Sequence, residues 1–363
     1  MNKKKNNKPI KILVTGGGTG GHVVPLMAIV DELKKENTNI LYVGSGAEIE
    51  KESALDRKIE YKSIMSGKWR RYFDINNFVD LFKVVIGCVQ SFFIILSFNP
   101  DVVFSKGGYV GLPIIYAASL LGKKIYIHET DSILGLANKK SVDKCKSIFT
   151  GYPPKYYPRI PVSKIIYTGN PIRNDFIKVL KKKIFKNDKK TILVTGGSQG
   201  ARFINQTIAK ILPQLTKKYN VIHLCGKMDY EWLRKNQNDW KNYRLLDFAK
   251  PRDFAGYLKN SDLVISRAGG TIAEIAYLEK AAIIIPLPNS ANDHQENNAK
   301  ILEQENAAIV LREKGLTSES LLDIINRFME DKTLSTELRN KISQFAQSDA
   351  AKIIAKNILQ DDE

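Results

Sequence analysis

The chain has little cysteine and little histidine, three of one and four of the other in 363 residues. Cys88, Cys145 and Cys225 stand far apart with no CxxC pair. That excludes a disulfide framework and a cysteine-based structural zinc site, and it fits a reducing compartment. The sequence also lacks a DxD pair, and the HETDS run at His128 has no second histidine to complete HExxH. No motif therefore demands a metal ion. Long uncharged apolar runs are missing too. The most hydrophobic stretch, FVDLFKVVIGCVQSFFIILSF from Phe78 to Phe98, contains Asp80, Lys83 and Gln90. Each central charge would cost roughly 2.5–3.5 kcal/mol in a bilayer, so this stretch reads as a helix of a soluble domain, able to rest on a membrane. The start, MNKKKNNKP, leads into IKILV, which is too short for a signal-peptide core.

Acidic residues are scarce relative to basic ones. The 38 Asp and Glu against 56 Lys and Arg leave a net charge of +18. That surplus favours an anionic partner such as an acidic membrane or a phosphorylated ligand, with a generally Lys- and Asn-rich composition as the plain alternative. No nucleic-acid recognition motif accompanies it, so nucleic acid is not an expected partner.

What the chain does have is a repeat. KILVTGGGTGG (Lys11–Gly21) returns 180 residues later as TILVTGGSQGA (Thr191–Ala201), identical at seven of eleven positions. Helical periodicity follows each copy: Leu26, Ile29, Val30 and Leu33 after the first, and Ile204, Ile208, Ile211 and Leu212 after the second. Short apolar runs (ILYVG, DVVFS, KIYIHE, VIHLCG, DLVIS, AAIIIPLP) read as buried parallel strands. Strands alternating with helices predict an α/β chain of two Rossmann-like, doubly wound domains facing a central cleft. The join is expected near GNPIRND, Gly169–Asp175, giving domains over 1–168 and 169–340 and a helical tail over 341–363.

Each glycine turn lets backbone N–H groups approach an anion at a helix start. Gly16, Gly18 and Gly21 also fit GxGxxG, the fingerprint of a dinucleotide site. That reading requires an acid at the end of the second strand, where Gly44, Ser45 and Gly46 stand instead. An NAD-dependent oxidoreductase is disfavoured accordingly. His22, just beyond the first turn, could act as a general base, since an unperturbed imidazole titrates at about 6.5, and could equally donate to a phosphate. In the second copy Ser198 adds a hydroxyl beside the amides. In RAGGTIAE, Glu274 lies one turn into a helix and suits a ribose diol. His294, Gln295 and Asn298, in PLPNSANDHQENNA, could hydrogen-bond a sugar.

GGGTGGHVVP, SKGGYVGLP, HETDSILGLANK, GNPIR, GGSQGA, SRAGGTIAE and DHQENNA occur in one order over about Ile10 to Val310. In this the chain resembles the bacterial peptidoglycan glycosyltransferases that move N-acetylglucosamine onto lipid I. The resemblance implies a B-type glycosyltransferase fold and an inverting, metal-independent transfer from UDP-GlcNAc, with no cofactor. Its acceptor would be the C4 hydroxyl of undecaprenyl-diphospho-N-acetylmuramoyl pentapeptide. The first domain would then bind acceptor and membrane, and the second the donor.

By motif, Ser198, with Gln199 and Gly200 beside it, would hold the diphosphate. Glu274 would hold the ribose, with Thr271 at the same helix start, and Arg173 would lie near the uracil and Gln295 on the sugar hydroxyls. Thr19 with Gly18 and Gly20 would touch donor or acceptor, Tyr109 and Asp131 would line the acceptor side, and His22 would be the base. Many relatives have HEQN where this chain has HETD, so Asp131 replaces an amide. A lipid-linked acceptor also gives meaning to SGKWRRYFDINNFVDLF. Lys68, Arg70 and Arg71 interleaved with Trp69, Phe73, Phe78 and Phe82 suit an anionic membrane surface. The expected place is the cytoplasmic face of the bacterial cell membrane, peripherally bound, with cell-wall synthesis proteins as partners. The alternative is a B-type glycosyltransferase using another UDP-sugar and lipid acceptor.

Overall fold

The computed structural model describes residues 8–18, 20–67, 76–177, 179, 184–197, 200–236 and 240–360, and the side chains of 76–81 and 174 fall outside that description. Of the expected site residues, Thr19, Lys68, Trp69, Arg70, Arg71, Phe73, Ser198 and Gln199 lie outside the described residues, as does the side chain of Phe78.

The chain forms two units, Met1–Arg173 with Asp349–Glu363, and Asn174–Ser348. The first opens with β1 (Ile10–Thr15), α1 (Gly20–Leu33), β2 (Thr38–Gly44), α2 (Glu48–Asp56) and β3 (Glu60–Ser63). It continues through α3 (Asn76–Phe98), β4 (Val102–Ser105), α4 (Gly111–Leu120), β5 (Lys124–Glu129), α5 (Leu136–Ser141), β6 (Ser147–Thr150) and β7 (Ile165–Tyr167). These seven strands form one parallel sheet in the order β3-β2-β1-β4-β5-β6-β7. Helices cover both faces, which is why Ile12, Leu13 and Val14 run together without polar alternation and are fully buried. On α1, Leu26, Ile29, Val30 and Leu33 are fully buried at helical spacing.

The second unit begins with α6 (Asn174–Ile177), β8 (Thr191–Thr195), α7 (Arg202–Lys218), β9 (Asn220–Leu224), α8 (Lys227–Lys235) and β10 (Tyr243–Leu246). After these come α9 (Pro251–Asn260), β11 (Leu263–Ser266), α10 (Thr271–Tyr277), β12 (Ala282–Ile284), α11 (His294–Gln304) and β13 (Ile309–Val310). The helices α12 (Ser318–Glu330) and α13 (Lys332–Ser343) follow. Its parallel sheet has the order β10-β9-β8-β11-β12-β13. The core gathers Ile204, Ile208, Ile211 and Leu212 of α7 with Leu321, Ile325 and Phe328 of α12.

The stretch 341–363, expected as a separate helical tail, divides instead. α13 stays with the second unit, while α14 (Ala350–Leu359) belongs to the first. Ile354 and Ile358 are fully buried in the core that holds Leu26, Ile29 and Leu33. The apolar face of α14 packs on α1 in that core, so the chain returns to its first unit to bury it.

Candidate active site

In each sheet the chain reverses its direction of growth between two adjacent strands, β1 and β4 in the first unit and β8 and β11 in the second. Ligands of open α/β sheets bind beyond the carboxyl ends of strands at such a point. The loops there hold Gly16–Gly18 and Lys106–Tyr109 in one unit, and Gly196, Gly197, Gly200 and Arg267–Gly270 in the other. The sequence motifs therefore occupy the ligand-binding ends of both sheets.

In the first unit the two loops touch. A Cβ built on Gly16 would sit 2.7 Å from the Cβ of Lys106, and one on Gly108 would sit 3.5 Å from Cδ2 of His22. His22 is half-buried in the first turn of α1, beside this junction. Asp131, also half-buried, belongs to the loop after β5, whose backbone is fixed from behind. Its N–H donates to Oε1 of Glu129 at 3.1 Å, and its carbonyl accepts from the Tyr157 hydroxyl at 2.7 Å. Glu129 also accepts from Gly135 N–H at 2.8 Å and from Nδ2 of Asn138 at 2.9 Å. Burial is the main cause that pushes its carboxyl above the usual carboxylate range.

Lys106 is buried and donates to the Thr130 hydroxyl, and burial draws its ammonium down to about 8. His128 is wholly buried and held well below the ordinary histidine value, first by burial and then by the Lys106 charge. Its Nε2 faces the Gly169 carbonyl at 3.2 Å, so it braces the strand end. No group of three or more His, Cys, Asp and Glu that could hold a metal ion is found among the described residues.

Sequence reading missed Glu50. It lies on α2, is fully buried, and its carboxylate receives Gly18 N–H at 2.9 Å, at the first glycine turn. An acid does come close to the end of β2, as a dinucleotide site would need. Protein donors already surround this one, so it has no capacity left for a ribose.

The two glycine turns differ in what surrounds them. A Cβ on Gly17 would fall 2.0 Å from Glu50 Oε1, so protein fills that space. In the second unit a Cβ on Gly197 or on Gly270 would meet nothing within 4 Å. Those positions leave room for a ligand to approach the backbone.

Four elements build the second unit's site. Gly200 follows β8 with φ +75°, a conformation that favours glycine. Thr271 and Glu274 lie in the first turn of α10, directly after Gly269 and Gly270. Gln295 lies on α11 and accepts Leu287 N–H through Oε1 at 2.9 Å, which leaves its NH₂ as the group able to bond a sugar hydroxyl. Asn298 ties α11 to the loop after β11, donating to the Ala268 carbonyl at 3.0 Å.

Arg267, also missed by sequence reading, is buried at the end of β11. It pairs with Glu313 at 2.6 Å and donates to the carbonyls of Ile285 and Pro286 at 3.1 and 3.2 Å. One guanidinium thus joins the loops after β11, β12 and β13. Arg173 is the last residue of the first unit, at the break between the two.

Residues 12–150 match the glycosyltransferase family 28 N-terminal domain, and residues 191–356 match the family 28 C-terminal domain. A Clostridium perfringens (strain SM101 / Type A) protein is 42% identical over 88% of this chain and 90% of its own length. A Clostridium kluyveri protein is 36% identical over 95% of this chain and 99% of its own length. Both are named UDP-N-acetylglucosamine--N-acetylmuramyl-(pentapeptide) pyrophosphoryl-undecaprenol N-acetylglucosamine transferase. Among solved structures, that of Acinetobacter baumannii MurG aligns with a TM-score of 0.76 at 26% identity, covering 97% of this chain and all of that one. With both of its Rossmann-like units matched, the chain belongs to glycosyltransferase family 28.

Proposed function

We infer that this chain transfers N-acetylglucosamine from UDP-GlcNAc to the C4 hydroxyl of the muramoyl sugar of lipid I, forming lipid II for peptidoglycan synthesis. One observation carries this reading. The expected site residues that the structure describes in the two glycine turns, SKGGY and RAGGTIAE stand on loops and helix starts at the two switch points, in a chain whose close relatives bear that activity in their names.

The second unit holds the donor. Its open glycine backbone at Gly197 and Gly270 receives the diphosphate, Glu274 accepts from the ribose hydroxyls, and Gln295 donates to the sugar. Arg173 serves the uracil. The first unit presents the acceptor, with Tyr109 and Asp131 beside it and His22 as the base. The chemistry is a single displacement. The acceptor oxygen gives its proton to His22 as it bonds to the anomeric carbon, while the bond from that carbon to the UDP oxygen breaks and its electron pair leaves with the diphosphate. Backbone N–H groups and a helix start at the leaving group stabilise the charge that grows there.

The lipid end of the acceptor is met by α3. Phe82, Val85, Ile86, Val89, Phe93 and Leu96 are between 43% and 69% exposed. At about 100° per residue they share one stripe, opposite the buried seam of Gly87, Ser91 and Ile95. A solvent-facing apolar stripe of this size suits a bilayer interface. No helix among the described residues is long and apolar enough to cross a membrane.

The test is direct. Purified protein is incubated with UDP-GlcNAc and a short-chain lipid I analogue, and the disaccharide product is sought by mass spectrometry. UDP-glucose and UDP-N-acetylgalactosamine run in parallel. Absence of product with UDP-GlcNAc, or equal product with another donor, would overturn the reading.

A further inference from the structure

We propose that Glu50 is a positioning residue for the transfer, acting through the first glycine turn on the start of α1 and His22. Its carboxylate is fully buried and receives five hydrogen bonds. Oε1 accepts from Gly18 N–H at 2.9 Å and the Ser45 hydroxyl at 2.8 Å. Oε2 accepts from Ser45 N–H at 2.7 Å, Gly46 N–H at 3.1 Å and the Tyr61 hydroxyl at 2.8 Å.

One side chain on α2 thus clamps the loop after β1 to the loop after β2. The glycines fit the clamp: a Cβ on Gly17 or on Gly44 would lie 2.0 or 2.4 Å from its oxygens. Tyr42 adds a second hold, its hydroxyl donating to the Gly16 carbonyl at 2.7 Å. The repeated glycine sentence therefore has two uses. In the second unit Gly197 faces open space, whereas in the first the turn closes on a buried carboxylate that takes Gly18 N–H for itself. The first turn thereby serves as a mount for the helix that carries His22.

Every partner of the carboxylate is a donor, so an amide in its place must turn NH₂ toward at least one of them. Glu50→Gln should lower kcat about a hundredfold, the scale of a misplacement of ~1 Å, with the KM for UDP-GlcNAc held within about twofold. Glu50→Asp keeps the charge and should recover part of that loss. Wild-type kcat in Glu50→Gln, or a loss in which donor KM moves with kcat and Asp does no better than Gln, would overturn the proposal.

A measurement on the unaltered protein guards against variants that fail to fold. With ¹⁵N-glycine labelling, the Gly18 and Gly46 amides should exchange slowly with solvent, and exchange at open-loop rates would overturn it as well. The proposal rests on His22 as the base, but the two fail separately. If His22→Ala keeps its rate while Glu50→Gln loses it, the base assignment falls and the clamp stands.

Discussion

Gly18 and Tyr109 pack against each other so closely that a Cβ on the glycine would lie 2.4 Å from Cε1 of the tyrosine ring. The contact joins the loops after β1 and β4, and Gly18 holds φ at +86° to make it. Gly18→Ala would add both a clash and a strained backbone. We expect it to lower unfolding free energy by about 1–3 kcal/mol, read by urea denaturation. Adding Tyr109→Ala should relieve the clash but leave the backbone strain, so stability should return only in part.

Removing the imidazole of His22 should abolish most turnover, by about 10²–10⁴-fold, while UDP-GlcNAc affinity stays near that of the unaltered chain. Steady-state kinetics and calorimetry on one protein preparation check both halves. An unchanged rate removes His22 from the chemistry.

Glu274→Ala should weaken UDP-GlcNAc binding by about 1.5–3 kcal/mol, the worth of hydrogen bonds to a charged group. UDP alone should lose affinity equally, because the contact is to ribose. Calorimetry that finds full UDP affinity would contradict the assignment.

Phe82→Glu with Phe93→Glu places two charges in the exposed stripe of α3. Sedimentation with anionic vesicles should fall, while activity on a water-soluble acceptor analogue persists. Equal sedimentation of both proteins would exclude this face.

His223 gives the second unit a dependence on acid. It is buried, with Nε2 at 2.9 Å from Oδ1 of Asn205 and Nδ1 at 3.0 Å from the Tyr243 hydroxyl. Burial lowers its pKa to about 4, against a partial opposing pull from Asp229. Between pH 6.5 and about 4 the unfolded chain binds a proton that the folded chain refuses. Its share of stability is therefore complete above 6.5 and declines as pH falls toward 4, by roughly 3 kcal/mol at the lower end. Amide exchange in β9 and β10 should quicken across that window, and His223→Gln should flatten the change.

The repeat, the apolar runs and the helical spacing are local patterns, and each carries its structure with it. Leu26, Ile29, Val30 and Leu33 share one face because of helix geometry alone, and Leu263, Val264 and Ile265 form a buried strand because an unbroken apolar run must be covered on both faces. The order of the motifs along the chain suffices to put His22, Tyr109 and Asp131 in the first unit and Glu274 and Gln295 in the second. Gly44, Ser45 and Gly46 stand where a dinucleotide site needs an acid, yet an acid does approach that place, from α2.

The repeat and the periodicity determined the two Rossmann-like units and their glycine turns, and the resemblance pointed to the residues that border them. Tertiary structure alone decided that α14 returns to the first unit, that Arg267 ties three loops of the second, and that the two glycine turns have different surroundings. The physical reason lies in the partners. Most of the groups that Glu50 and Arg267 bond are backbone N–H and C=O, which every residue carries alike apart from the N–H that proline lacks. A side chain that recognises backbone leaves little trace in the identity of what it holds, and only the folded chain reveals the grip.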